Sequence, residues 1–248
     1  MSSSSRNREQ RTVVTVRLHG RLNDFVAPEK RGTQLQVAPQ GSPSLKDLIE
    51  SLGPPHPELD RVLVDGAPVV LTHRVTPGAH IEAFPALGHV EGMPRFVLDV
   101  GLGRLSGFLR MLGFDTLWRN DFDDPELARI SSTEERVLLT RDLGVLKRGE
   151  VVLGYFPRAT DPAEQLVEVV RRYGLSSRMK PFSRCIACNA LLSPAQPHEV
   201  THRVPPDVAS RYTHFQQCKD CRRVFWPGTH QERMLALIDR LRALELEG

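Results

Sequence analysis

Two Cys-x-x-Cys pairs, Cys185-Ile186-Ala187-Cys188 and Cys218-Lys219-Asp220-Cys221, constrain this chain more than any other feature. Each pair turns two thiolates toward one ion, and two such turns complete a tetrahedral four-sulfur site. Such a site has no open coordination position, so it reads as structural zinc rather than catalytic zinc. These four are all the cysteines in 248 residues, too few for a disulfide scaffold. Two redox pairs, or unpaired core thiols, are the competing readings. Residues 189–217 lie between the pairs, enough chain for two strands, so the C-terminal segment reads as a zinc ribbon. His198, His202, His214 and His230 lie nearby. With four thiolates present none is needed as a ligand, and they read as loop, core or RNA-facing residues.

At 248 residues the chain holds one large domain or two to three small ones. The boundaries read as a disordered tail over 1–10, then domains over 11–90, 93–178 and 181–248. No run approaches the roughly 18 apolar residues of a membrane helix, and the first residues lack the apolar core of a secretory signal. Free-thiolate ligands then point to a reducing cytoplasm.

In the first domain Thr12 to Leu18 alternates as a strand, with Val14, Val16 and Leu18 on one face. Gln34–Val37 is a second strand. Ser44 opens a helix over Leu45–Leu52, with Asp47 in its first turn and Gly53 after its end. Strands over Val62–Val64 and Val69–Leu71 flank the turn signal Asp65-Gly66, and Ala79–Phe84 is the last. This order, with the run VDGAPVVLTHRVTPGAHIEAFPAL, resembles the ubiquitin-like β-grasp domains of the sulfur-carrier type. Those act through a free Gly-Gly end, whereas here the chain continues through Gly88 and Gly92. The resemblance therefore implies a fold and a docking surface for a protein partner, not sulfur transfer.

In the second domain strands alternate with helices, which predicts a mostly parallel sheet flanked by helices. The strands read as Arg95–Val100, Asp115–Trp118, Val137–Thr140 and Val151–Phe156. Leu102, Leu105, Leu109 and Leu112 mark one helix, which Gly113 ends. Asp124-Pro125 opens a second helix as cap and first residue, and Asp161-Pro162 a third. In the last domain Thr229 to Glu232 fits a capping box before a helix striped by Met234, Leu237, Ile238, Leu241 and Leu244. That helix reads as packing back on a neighbouring domain.

Functional groups of an open parallel sheet gather at the carboxyl ends of its strands. Asp99 ends the first strand, Asp142 follows the third, and Asp124 opens the helix between them. If the strands are adjacent, Asp99 and Asp142 meet at one edge and Asp124 can face them. Converging carboxylates repel unless a divalent cation sits between them, and oxygen ligands favour Mg²⁺ or Mn²⁺. Each acid also has a structural reading: Asp124 as a helix cap, Asp142 as the cap of a turn, Asp99 as a strand-end residue. Asp121 and Asp123 read as solvated turn acids, either of which could replace Asp124; Asp115 shapes the entry to the second strand.

From Arg178 to Arg223 the chain carries 8 Lys or Arg against 3 Asp or Glu, which suits a polyanion partner or a solvated basic face. Arg104, Arg110, Arg141, Lys147 and Arg148 flank the acids, while Lys219, Arg222 and Arg223 flank the second cysteine pair. Arg104, Arg141, Lys219, Arg222 and Arg223 are the candidate RNA contacts; Arg104 and Arg110 have a solvent-face alternative. Phe225 and Trp226 either stack bases or pack over the metal site, and packing is the favoured reading. Gly101-Leu102-Gly103 lacks the third glycine of a dinucleotide site, and no phosphate-cradling loop is present.

The blocks LDVGLGRLSGFLRMLGFDT, DDPELARI and RVLLTRDLGVLKR resemble the PIN-like ribonuclease domain of the mut-seven carboxy-terminal family. The cysteine pairs and the run from Phe225 to His230 resemble the zinc ribbon fused to it, and bacterial members carry an N-terminal ubiquitin-like domain. The resemblance spans about residues 11–235. It implies a metal-dependent endoribonuclease with Asp99, Asp124 and Asp142 as catalytic, Mg²⁺- or Mn²⁺-binding acids. It also implies a zinc ribbon that assists binding of tRNA, rRNA or mRNA. Related PIN-like proteins carry another Asp where Gly144 stands, so one ion suffices or Asp123 contributes. The alternative is a non-catalytic RNA- or ribosome-binding protein with a degenerate site.

Overall fold

The computed structural model describes residues 13–243. The tail over 1–10 and Leu244 lie outside the described residues, as do the side chains of the capping box at 229–232. The elements run β1 (Val14–Leu18), β2 (Gln34–Val37), α1 (Leu45–Leu52), β3 (Leu59–Val64), β4 (Ala67–Val69), β5 (His80–Pro85) and β6 (Phe96–Leu98). There follow α2 (Gly103–Met111), β7 (Thr116–Trp118), α3 (Asp124–Thr133), β8 (Val137–Leu139), α4 (Leu143–Leu146), β9 (Gly154–Tyr155) and α5 (Pro162–Tyr173). The last are β10 (Leu192–Ala195), α6 (Pro197–Val200), α7 (Pro206–Arg211), β11 (Phe215–Cys218), β12 (Val224–Phe225) and α8 (Thr229–Ala243). The chain divides into two compact units. One runs to Leu87 and takes in Asp142–Phe156; the other holds Gly88–Arg141 and the chain from Pro157 onward.

The first unit is a five-stranded sheet in the order β2-β1-β5-β3-β4, with β1 parallel to β5 and the other neighbours antiparallel. Val14, Val16 and Leu18 are buried on one face with Ile81 and Ala83, against Leu45, Leu48 and Ile49 of α1. Each such side chain removed from water contributes about 1.5–3 kcal/mol. A capping box fixes the start of α1: Ser44 Oγ accepts from Asp47 N at 3.1 Å, and the Asp47 carboxylate accepts from Ser44 N. A helix over a mixed sheet in this strand order is the expected β-grasp arrangement. The strand expected at Val69–Leu71 is instead Ala67–Val69. Asp65 (φ +49°) and Gly66 (φ +80°) form a two-residue turn, so pairing starts at once with Val64 opposite Ala67.

Within the second unit β6 is flanked by β7 and β8, both parallel to it. The strands are shorter than their apolar runs. All three residues of β6 and of β8 are buried, and Leu98 stands opposite both Trp118 and Leu139, so the carboxyl ends are flush. Phe96 meets Phe114 and Tyr173 edge-on at centroid distances of 6.0 and 6.1 Å, joining the sheet to α5. Asp161 caps α5, accepting from Ala163 N at 2.9 Å and Glu164 N at 3.1 Å. Gly113 ends α2 with φ +94°, and a Cβ there would lie 2.4 Å from the Lys180 carbonyl oxygen. The terminal helix α8 packs back as expected: Ile238 and Leu241 are buried, Ser176 Oγ donates to Leu241 O at 2.9 Å, and Arg240 pairs with Glu164 at 3.1 Å.

The chain between the cysteine pairs supplies β10 and leads into β11, which ends on Cys218, and β12 follows the second pair to complete the antiparallel sheet β10-β11-β12. Val200, Val208 and Phe215 form its small core, with Tyr212, Val224 and Trp226 against it. Trp226 therefore packs, but against this small core and not, in any contact described, over the cysteines. No described helix is long and apolar enough to cross a membrane.

Candidate metal centre

The two cysteine turns share one backbone plan. Cys185 N donates to Ala190 O at 2.8 Å, and Cys218 N to Arg223 O at 2.9 Å, five residues on in each case. The residue after each pair, Asn189 (φ +72°) or Arg222 (φ +63°), takes the left-handed conformation that closes the turn. The sulfurs of Cys185, Cys188, Cys218 and Cys221 all lie within 4.8 Å of one another. The pairs Cys185–Cys221 and Cys188–Cys218 are 3.6 and 3.3 Å apart. Tetrahedral zinc with bonds of about 2.3 Å requires sulfurs about 3.8 Å apart, so four thiolates of this spacing fit a zinc ion. Among the described residues this is the one group of three or more metal-ligating side chains, and no histidine joins it. Burial pushes the Cys185 thiol up to about 12; a cation bound by the thiolates would displace that proton.

The first turn is bolted to the parallel sheet β7-β6-β8 by residues that hydrophobic periodicity does not flag. Arg110 on α2 is 4% exposed. Its Nε donates to Thr116 O at 2.9 Å and its Nη1 to the carbonyls of Ile186 and Ala187 at 3.2 and 3.0 Å. This corrects both readings of Arg110: it is buried, and its Nε and Nη1 donate to peptide oxygens of β7 and of the cysteine turn. Asn189 links the same parts. Its Oδ1 accepts from Thr116 N at 3.0 Å and its Nδ2 donates to Asp115 Oδ1 at 2.8 Å. Arg136 Nη1 also donates to Asp115 at 2.8 Å, and Arg184 stands 3.8 Å away. Burial would raise the Asp115 carboxyl, but the bonds from Arg136 and Asn189 outweigh it and hold it below the usual carboxylate range. Asp115 thus anchors the ribbon rather than only shaping a strand.

The proposed acids fall in different places. Asp99 follows β6, half-buried, and accepts from Thr140 Oγ1 at 2.8 Å, while its own N–H donates to Leu139 O at 3.1 Å. The ends of two parallel strands are thereby tied together by an oxygen-rich pair. Asp124 is exposed and is not the cap of α3. Asp123 holds that position, accepting from Glu126 N at 2.8 Å, and Pro125 stands one place further into the helix than expected. Asp142 is exposed, belongs to the first unit, and caps α4 by accepting from Gly144 N at 2.6 Å. A Cβ at Gly144 would lie 3.0 Å from that same Asp142 oxygen. Asp121 is paired with Arg119 through two bonds of 2.8 and 2.6 Å.

The candidate RNA contacts Arg104, Arg141, Lys219, Arg222 and Arg223 are all exposed. Arg141 spends one donor on Ala159 O at 2.7 Å, and the Arg222 carbonyl accepts from Arg203. Lys147 donates to Glu50 O at 2.7 Å within the first unit.

The family model described as the Mut7-C RNAse domain matches residues 94–238, and the one described as Mut7-C ubiquitin matches residues 11–91. No curated protein matches the chain, and no solved structure does.

Proposed function

Because this chain belongs to the Mut7-C RNAse-domain family, we propose that it is a metal-dependent endoribonuclease whose zinc ribbon helps to bind RNA. The RNAse-domain match across 94–238 carries this reading, since that span holds Asp99, Asp124, Asp142 and all four cysteines. The functional modules are a β-grasp domain over 11–90, a PIN-like nuclease domain over 93–178, and a ribbon with its terminal helix over 181–248. The family resemblance makes Asp99, Asp124 and Asp142 the acids that hold Mg²⁺ or Mn²⁺. Oxygen donors of this kind suit such an ion: Asp99 is oriented by Thr140, and Asp124 is not used as the cap of α3, which is Asp123. When bound, the ion supplies an activated water and stabilises charge on the phosphoryl oxygens. The chain's own part is to fix the carboxylates and to hold the RNA backbone with exposed Arg104, Arg141, Lys219, Arg222 and Arg223. The protein acts in a reducing cytoplasm, on tRNA, rRNA or mRNA.

Gly144 favours a second reading. Where related PIN-like proteins carry an acid, a side chain would press on Asp142, which suits a non-catalytic RNA- or ribosome-binding protein. Cleavage of a total-RNA pool in Mn²⁺ decides between them, with wild type beside Asp99→Asn and Asp142→Asn at equal zinc content. Cuts abolished by EDTA and by both substitutions establish the nuclease. Equal RNA binding by all three proteins with no cuts establishes the binding protein.

A further inference from the structure

A cavity of about 1000 Å³ lies wholly within the second unit, at the upper end of the range for small-ligand sites. Its floor follows from strand register. Pro194, Gln216 and Phe225 stand in one row across β10, β11 and β12. Side chains alternate between the faces of a sheet, so this row lies on the face opposite Phe215 and its small core. The other wall is Pro181, Phe182 and Ile186, from the chain around the first cysteine turn, with Met111 at the end of α2. That wall is held in place: Lys180 N donates to Leu112 O at 2.9 Å and Phe182 N to Met111 O at 2.8 Å. Phe182 has φ +59°, which a bulky side chain rarely adopts, and such strain persists only where the surroundings impose it.

The lining narrows the occupant. Phe182 and Phe225 are half-buried, and Trp226 reaches the same cavity. Among the described residues neither the Gln216 amide nor Trp226 Nε1 has a hydrogen-bond partner. Arg184, the one Arg or Lys of the described lining, is already committed, with Nε donating to Gly113 O at 3.3 Å and Nη1 to Asn189 O at 2.9 Å. No carboxylate is among the described lining residues. A flat, uncharged group with a hydrogen-bonding edge suits such a cavity; a phosphate does not. Cations for phosphate stand outside it. Lys219, Arg222 and Arg223 are exposed, and the chain from Arg178 to Arg223 carries 8 Lys or Arg against 3 Asp or Glu. A splayed-out base between two phosphates has this combination of properties, whereas the bases of a duplex are stacked and turned inward.

We propose that this cavity takes an unpaired base of single-stranded RNA, with Phe182 and Phe225 stacking on it and Gln216 bonding to its edge. The inference deepens the RNA-binding part of the proposed function and rests on it; no catalytic metal is invoked.

The test uses the full-length, zinc-loaded protein without added Mg²⁺ or Mn²⁺, so that RNA stays intact. Wild type, Phe182→Leu, Phe225→Leu, Gln216→Glu and the triple variant Lys219→Ala/Arg222→Ala/Arg223→Ala are titrated with labelled oligouridine, oligoadenosine and the duplex they form. Leucine keeps apolar volume without a stacking ring, so zinc content and Tm should match wild type. Each leucine variant should weaken single-strand binding about 5- to 100-fold, the loss of one base–aromatic stack, and leave duplex binding unchanged. Gln216→Glu, nearly the same shape, should weaken it about tenfold by setting a charge beside the phosphates. Iodouracil in the single strand should cross-link to Phe182 or Phe225 under ultraviolet light. Single-strand affinity within about twofold of wild type in both leucine variants, at wild-type zinc content, would overturn the pocket. If a leucine variant loses zinc, wild-type affinity in Gln216→Glu with no cross-link to either ring overturns it instead. If the leucine variants match wild type while the triple variant loses binding, the pocket fails and the RNA-binding reading stands. If wild type binds neither single strand nor duplex at low salt, that reading falls and the pocket with it. Self-association that Phe225→Leu abolishes, with RNA affinity unchanged, gives the face to a second copy of the chain and also overturns the proposal.

Discussion

Replacing Asp115 by Ala removes the one carboxylate that Arg136, Asn189 and Arg184 share at the root of the ribbon. Breaking a buried pair by removing one partner costs about 3–5 kcal/mol. Here the Asp115 side chain is 24% exposed, and Arg136 keeps Glu134 at 2.8 Å. The expected loss is therefore about 2–3 kcal/mol after allowance for solvent screening. For a chain of this size that lowers Tm by roughly 4–12 °C. A thermal melt at neutral pH reads the loss, and zinc transfer to a coloured chelator should quicken, because Asn189 closes the first cysteine turn. Asp115→Asn keeps an acceptor without the charge and should fall between the two. The Asp115 carboxyl is depressed in the folded state, so its contribution is present above the unfolded value of about 3.9 and is lost as pH falls through the lower folded value. The gap between wild type and Asp115→Asn should accordingly be full at neutral pH and close below about pH 4. A melt within 1 °C of wild type (about 0.5 kcal/mol or less) with unchanged zinc transfer would refute the argument.

Three further outcomes are expected. Asp123→Ala should cost about 1 kcal/mol as a lost cap and leave cleavage intact, whereas Asp124→Asn should barely move Tm and abolish cleavage. Zinc binding must displace the Cys185 proton, held up to about 12. Apparent zinc affinity, measured by competition, should therefore drop about tenfold or more for each pH unit below 8. Gly113→Ala puts a side chain at φ +94° and 2.4 Å from the Lys180 carbonyl; calorimetry should show a loss of about 2 kcal/mol or more.

Local chemistry was legible in the residues where one short stretch decides the outcome. Ser44, Asp47 and Gly53 mark α1 at both ends, and the cysteine spacing marks the sulfur cluster. Two adjacent acids precede Pro125; the sequence points to Asp124 as the α3 cap, and only the backbone shows that Asp123 holds that place. Strand order was not legible by periodicity. Thr15 pairs with His80 across more than sixty residues, and alternation names a face but no neighbour. Arg110 was misread because its helix looked amphipathic; a long cation can be consumed by peptide oxygens 76 and 77 residues away. The family resemblance located the acids, but nothing in the residues assigned Asp142 to the first unit.

The return of Asp142–Phe156 to the first unit also governs the order in which the protein can be made. Strands β1 to β5 leave the ribosome first, but the acceptors for His56 Nε2 and the donor to Glu58 lie at Val151 and Phe156. The N-terminal unit is thus completed only after three strands of the second unit have been synthesised. Its maturation waits for chain that arrives late, so folding here does not proceed one bead after another from the amino end.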